Sequence, residues 1–443
     1  MHLVAPRDTS TDQRSLDGLI AACIGLLACC AVILRLLIGD DDETLVVALL
    51  AQGAIYAAAV WLVLRREWGR GALAVIIGGA ILARVLAALS SPSLSTDIYR
   101  YVWDGRVQAA GINPYRYLPV DERLARLRDE QIYPNIERKD YARTIYPPVA
   151  QMIFLVVSRA SENVTAMKLA MLGFDMVTIA AIIGLLKMDG LPRERVLIYA
   201  WHPLPIWEFS GNGHVDAAAI AFMCLAMLLV HRRRTAFGGA MLAAATLVKP
   251  FPLALAPALW RPWDWRMPTG FIAFAALAYL PYLGAGWQVL GYLGGYVDEE
   301  QYRDGYGFFF VAALRELGLP APSGPVYMAF ALAVFAALAL AVAFRPRQSA
   351  IDAATPIWLG AGFLVLTSPH YPWYFAWVLP LLCRKVYMPL LGLTLACFIL
   401  YILEIDDVTD NFKPALWLFS GFAVLVAVDL AARLRLPAIR RPA

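Results

Sequence analysis

LDGLIAACIGLLACCAVILRLLI, residues 16–38, carries one acid near its start and one base near its end, with apolar or small residues between them. About 18 to 20 such residues suffice for an α-helix to cross the hydrocarbon of a bilayer. The run is longer than a signal-peptide core and no convincing small-residue cleavage site follows it, so it is read as a retained anchor. Similar runs recur at 45–64, 72–89, 164–186, 196–209, 215–230, 270–287, 326–344, 357–367, 374–382, 387–403 and 415–434. Unbroken apolar runs argue against a barrel, whose strands alternate apolar and polar residues. Over 443 residues, 60% are hydrophobic and 16% charged, and the mean hydropathy is +0.60, outside the range of soluble domains. The expected fold is an all-α polytopic membrane protein, a bundle of about 12–13 transmembrane helices forming one integral domain over 1–443.

Charge sorts the loops. Arg65, Arg66 and Arg70, then Lys187, Arg193 and Arg195, then Arg232, Arg233 and Arg234 fall at one end, with Arg261, Arg266, Arg345, Arg347, Arg384, Lys385 and the tail Arg433, Arg435, Arg440 and Arg441. The opposite end holds Asp40, Asp41, Asp42, Glu43, Asp298, Glu299, Glu300, Glu404, Asp406, Asp407 and Asp410. The positive-inside rule makes the first end cytoplasmic. The expected placement is a multi-pass protein of the inner (plasma) membrane with both termini cytoplasmic. Two long loops, 90–163 and 288–325, then face the exterior. Residues 147–160 are too short to cross and read as a helix along the outer face. Residues 237–260, broken by Lys249, Pro250 and Pro252, read as two half-helices that enter and return with Lys249 near the apex.

All six cysteines lie in apolar runs, which suits packing better than disulfides or a metal site. The net charge of +4 is small and forms no stripe, so nucleic acid is not an expected partner. No phosphate loop or dinucleotide fingerprint is present, and no histidine pair with a carboxylate marks zinc. The cofactor expectation is none; a divalent cation on Asp97, Asp104 or Asp216 is conceivable on chemistry but unsupported by spacing.

The chemistry concentrates in TDIYRYVWDGRVQAAGINPYRY, residues 96–117. If Asp97 begins a helix, Arg100, Tyr101 and Asp104 follow at i+3, i+4 and i+7 on one face. Asp97 has two readings: a helix N-cap or solvated acid, or a general base at the rim of a membrane-facing cavity. In the second, Arg100 and Arg106 serve a phosphate and Asp104 holds one of them. Aromatics such as Trp103, Tyr115, Tyr117 and Tyr146 suit either an interfacial belt or sugar platforms. WHPLPIWEFSGNGHVD gathers Glu208, Asn212, His214 and Asp216, either as a polar turn or as part of the same cavity. SPHYPWYF adds His370, Tyr371 and Trp373 on the same terms.

TDIYRYVWDGRVQAAGINPY and TIYPPVAQ, with the Lys-Pro break and the His-Tyr-Pro-Trp-Tyr turn, resemble GT-C glycosyltransferases that use polyprenyl-phosphate sugars. They are most similar to the bacterial polyprenol-phosphate-mannose-dependent mannosyltransferases. The resemblance implies transfer of a hexose, mannose-like, from a polyprenyl-phosphate sugar to a lipid or glycan acceptor at the outer face. It implies an inverting displacement with Asp97 as base. Arg100, Arg106 and Lys249 are the donor-phosphate candidates by chemistry. Many relatives carry paired acids where this chain has Asp97-Ile98-Tyr99. A transporter or flippase of lipid-linked sugars is the alternative; such proteins show internal repeats with charges at paired broken helices, and none is evident here.

Overall fold

The structure, a computed structural model, describes residues 9–38, 42–69, 71–345, 353–401 and 412–435. Asp40, Asp41, Glu404, Asp406, Asp407 and Asp410, and Arg70, Arg347, Arg440 and Arg441, lie outside them. The described chain is helical without strands. In order the helices are α1 (Thr9–Leu36), α2 (Asp42–Arg65), α3 (Ala72–Ala88), α4 (Asp97–Ala109), α5 (Pro148–Ala160), α6 (Val164–Met188), α7 (Leu197–Ala200), α8 (Asp216–His231) and α9 (Thr235–Thr246). They continue as α10 (Ala256–Leu259), α11 (Arg266–Tyr279), α12 (Leu293–Glu299), α13 (Phe309–Glu316), α14 (Gly324–Ala343), α15 (Thr355–Thr367), α16 (Leu379–Arg384), α17 (Met388–Ala396) and α18 (Phe412–Arg435).

The polytopic all-α architecture is as expected, but fewer helices are full-length spans than the 12–13 read from the sequence. Among the described residues six are long and apolar enough to cross a membrane, and a bent pair makes up to seven. Proline interrupts two of the others: it removes a backbone donor and clashes with the preceding turn. Pro203 and Pro205 split α7 from a π-helical turn at Pro205–Gly211, which meets α8 at 119°. α9 ends at Thr246, and Pro250 and Pro252 then open a separate 3-10 turn at Phe251–Leu255, leaving Lys249 in the break between them.

Polar side chains repair the break after α7. Arg84 of α3 is fully buried; its Nη1 donates to the Ala200 carbonyl at 2.6 Å and its Nε to Asp175 Oδ2 of α6 at 2.5 Å. Tyr199 Oη donates to the other Asp175 oxygen at 2.6 Å. His202 Nδ1 accepts the Leu204 N–H at 3.1 Å, leaving Nε2 to donate to Thr394 Oγ1 at 3.1 Å. Backbone freed by a broken helix at membrane depth must find such partners. All six cysteines are free thiols, five of them buried.

Between α3 and α6 the chain builds a cap of α4 and α5. Gly105 sits where these helices cross, its Cα against the Phe154 carbonyl and the Ser158 side chain, so no Cβ fits there. α5 turns Val149, Gln151 and Phe154 inward. Together with α6 its apolar flank forms a groove of about 460 Å³ lined only by apolar side chains and Gly173, among them Val149, Met152, Ile153, Val156 and Phe174.

Candidate active site

Asp97 opens α4. The chain reaches it along residues 90–96, where the Leu94 N–H donates to Asn212 Oδ1 at 3.3 Å and the Asp97 N–H to Ser95 Oγ at 3.3 Å. Beneath it Gly213, at φ +74°, turns the chain under the Ile98 side chain, a place with neither the backbone region nor the room for a Cβ. The Asp97 carboxylate keeps 27% of its side chain exposed. Its Oδ2 lies 3.5 Å from Tyr101 Oη and 3.8 Å from His214 Nδ1, and Tyr146 packs edge-on against the Tyr101 ring at 4.9 Å. Burial pushes this carboxyl up from its ordinary value although the Lys249 ammonium pulls it down.

Three further segments converge here. Lys249, at the break after α9, pairs with the fully buried Asp216 at 3.1 Å and lies 4.7 Å above the Tyr374 ring. Tyr374 in turn shares a 3.0 Å hydrogen bond with Tyr296. His214 stacks on Trp373 at 4.1 Å, and Trp373 on Tyr371 at 4.7 Å. Glu208 lies 3.4 Å from His214 Nε2 and accepts from Asn212 at 3.1 Å and Tyr401 at 2.8 Å. A partly open carboxylate, a held ammonium and a stack of aromatic rings thus share one region. Chemically, that set can accept a proton, neutralise an anion and pack against a sugar face.

Not every sequence-derived candidate belongs to it. Arg100 Nε is bound to Asp104 at 2.9 Å and its Nη1 to the Ala142 carbonyl at 3.2 Å. Asp104 also accepts from Gln151 at 2.8 Å, so the pair ties α4 to α5 and to the loop before it. Arg106 is committed to Asp129 at 2.8 Å, Glu162 at 3.0 Å and the Leu127 carbonyl. Although burial raises the Asp129 carboxyl, the Arg106 guanidinium and two backbone N–H groups bring it down to about 2. The physical reason is shared: a helix face fixes only the direction of a guanidinium, and here Asp104 of the same helix and carboxylates and carbonyls from the loops reach it first. His370 is similarly taken up between Glu300 (3.1 Å) and the Gly307 carbonyl (3.1 Å). Replacing Arg100 by Gln strands Asp104 at 2% side-chain exposure and is expected to lower stability by about 3 kcal/mol while leaving the donor KM unchanged. Thermal unfolding in detergent beside donor titration checks this, and a raised KM at unaltered stability would return Arg100 to the phosphate.

One cation was missed from the sequence. Arg138, in the loop between α4 and α5, acts electrostatically on Asp97. Its side chain is 31% exposed, with Nε on Glu299 at 2.5 Å and Nη1 on Glu137 at 3.3 Å, and Glu137 accepts from Thr96 beside Asp97. It stands among other charged residues in ERKD, with no spacing to distinguish it. Among the described residues no group of three or more His, Cys, Asp or Glu side chains is placed to hold a metal ion.

The family described as alpha-(1->6)-mannopyranosyltransferase, N-terminal domain, matches residues 23–263, more than half the chain. The matched stretch includes Asp97, Glu208 to Asp216, and Lys249, and stops short of Tyr371 to Tyr374. No curated protein and no solved structure matches the chain.

Proposed function

From a chain that belongs to the alpha-(1->6)-mannopyranosyltransferase family, and is therefore a multi-pass membrane mannosyltransferase, we propose an enzyme that takes its mannose from a polyprenyl phosphate. The acceptor is a lipid or glycan hydroxyl, on C6 if the family's linkage applies, presented at the outer face of the membrane.

The observation that carries this reading is the juxtaposition of Asp97, the Lys249 ammonium and an apolar groove. The Val149 N–H donates to the Leu247 carbonyl at 3.0 Å, two residues before Lys249, and the Val149 side chain lines the groove between α5 and α6. A polyprenyl chain gains about 25 cal/mol for each Å² of its surface withdrawn from water. Seated in that groove, it would bring its phosphate toward Lys249. Positive-inside sorting of the arginines puts Asp97 on the exterior, away from nucleotide sugars.

The reaction then needs no cofactor from the chain. Asp97 Oδ takes the proton of the acceptor hydroxyl as the acceptor oxygen bonds to the anomeric carbon. The bond from that carbon to the phosphate oxygen breaks, and polyprenyl phosphate leaves as a monoester. Lys249, fixed by Asp216, counters the charge growing on the leaving group. Trp373, Tyr371 and Tyr374 offer flat faces to the sugar rings. Attack opposite the leaving phosphate inverts the anomeric centre.

The test is donor choice by purified protein in lipid nanodiscs. Radiolabelled mannose on polyprenyl phosphate is expected to reach a mannoside acceptor, and mannose on a nucleoside diphosphate is not. Equal transfer from the nucleotide sugar would refute the lipid-linked donor.

A further inference from the structure

At the far end of α6 from Asp97 lies a second cavity, of about 930 Å³. The 25 residues of α6, at about 1.5 Å each, separate it from the reacting groups by most of a membrane's thickness. The ends of α2, α6, α8 and α16 and the start of α17 enclose it.

Its charge is unbalanced. Arg66, Arg195, Arg384 and Lys385 line it against a single carboxylate, Asp189. That carboxylate is already engaged: Arg384 binds it through Nε at 2.6 Å and Nη2 at 3.0 Å, and His231 Nε2 lies 3.5 Å from Oδ1. Arg66 donates to Ser15 Oγ at 2.9 Å. Arg195 Nε is buried and meets no acceptor among the described residues. A buried guanidinium N–H without an acceptor is costly, and an anion in the cavity would satisfy it.

The remaining wall is apolar. Val63, Leu64, Val386 and Met388 line the same cavity, and the membrane spans Thr44–Arg65 and Val164–Met188 end at it. Phosphate chemistry on one wall, hydrocarbon on the other and a position at the ends of spans describe one ligand class. We propose that this cavity binds an anionic glycerophospholipid. Arg195 and Lys385 hold its phosphate, and the apolar wall takes the start of its acyl chains. The lipid ties together the ends of helices that are otherwise held there by Arg384 and Asp189. The assignment does not depend on the donor chemistry at Asp97.

Native mass spectrometry of the full-length protein, loaded from mixed micelles, tests it. Wild type is expected to retain phosphatidylglycerol about tenfold over phosphatidylcholine. Arg195→Gln and Lys385→Gln are each expected to cut that preference at least fivefold, and millimolar inorganic phosphate is expected not to displace the lipid. Because Lys385 is solvent-exposed, its variant carries the test if Arg195→Gln fails to fold. Equal retention of the two lipids, or variants that retain phosphatidylglycerol as wild type does, overturns the proposal. Displacement by inorganic phosphate also overturns it, by making the cavity a site for soluble anions.

Discussion

Asp97→Asn is expected to lower kcat for mannose transfer by about a thousandfold, within the range of 10² to 10⁴ contributed by positioned general bases. The amide is nearly isosteric and can still accept from Tyr101, so folding and donor affinity should survive. What it cannot do is take the acceptor proton. The pH profile separates this role from a structural one. A base works only when deprotonated, so activity must fall as pH drops through the Asp97 pKa. Burial raises that pKa above its ordinary value despite the opposing pull of Lys249, which moves the acid limb of kcat/KM upward in pH. In the variant the limb disappears along with most of the rate. A variant that keeps more than a tenth of the wild-type rate, or the same acid limb, would show that another group serves as base.

Lys249→Met is expected to do two kinds of damage. Asp216 is fully buried and Lys249 is its ion-pair partner at 3.1 Å. Removing one member of a buried pair strands the other charge, at a cost of about 3–5 kcal/mol. The donor phosphate also loses its cation, worth about 1.5–3 kcal/mol for a hydrogen bond to a charged group, or roughly a ten- to hundredfold rise in donor KM. Adding Asp216→Asn separates the two effects: the double variant should recover much of its thermal stability while donor KM stays high. If affinity returned with stability, Lys249 would be a strut for the helix break and not a phosphate ligand.

The legible parts of the fold are those written into local composition. The runs at 45–64 and 164–186 became α2 and α6 with ends shifted by no more than three residues, because an apolar run in lipid has no alternative to hydrogen-bonding itself. Asp97 was legible for a related reason: an acid at the start of a polar helix just beyond an apolar run stands out. Asp104 holding one of the two arginines of α4 is legible in the i,i+4 spacing; the loop partners of Arg100 and Arg106 are not. Their spacing from Asp97 was read correctly, yet each guanidinium is held by groups 4 to 56 residues away, from Asp104 to Glu162. Arg138 escaped notice for the converse reason: its importance comes entirely from where its loop lies.

The sequence by itself determined that this is a helical membrane protein, which end of it is rich in arginine and which residue is the strongest candidate base. Hydropathy and charge asymmetry are properties of short segments and act wherever the segment is placed. Only the tertiary structure decided which cations stand near that base and which are spent on holding helices together. A cation's role depends on where its partners hold it relative to the base, and that is set by packing among segments as remote as Asp97, Asp216, Lys249 and Trp373.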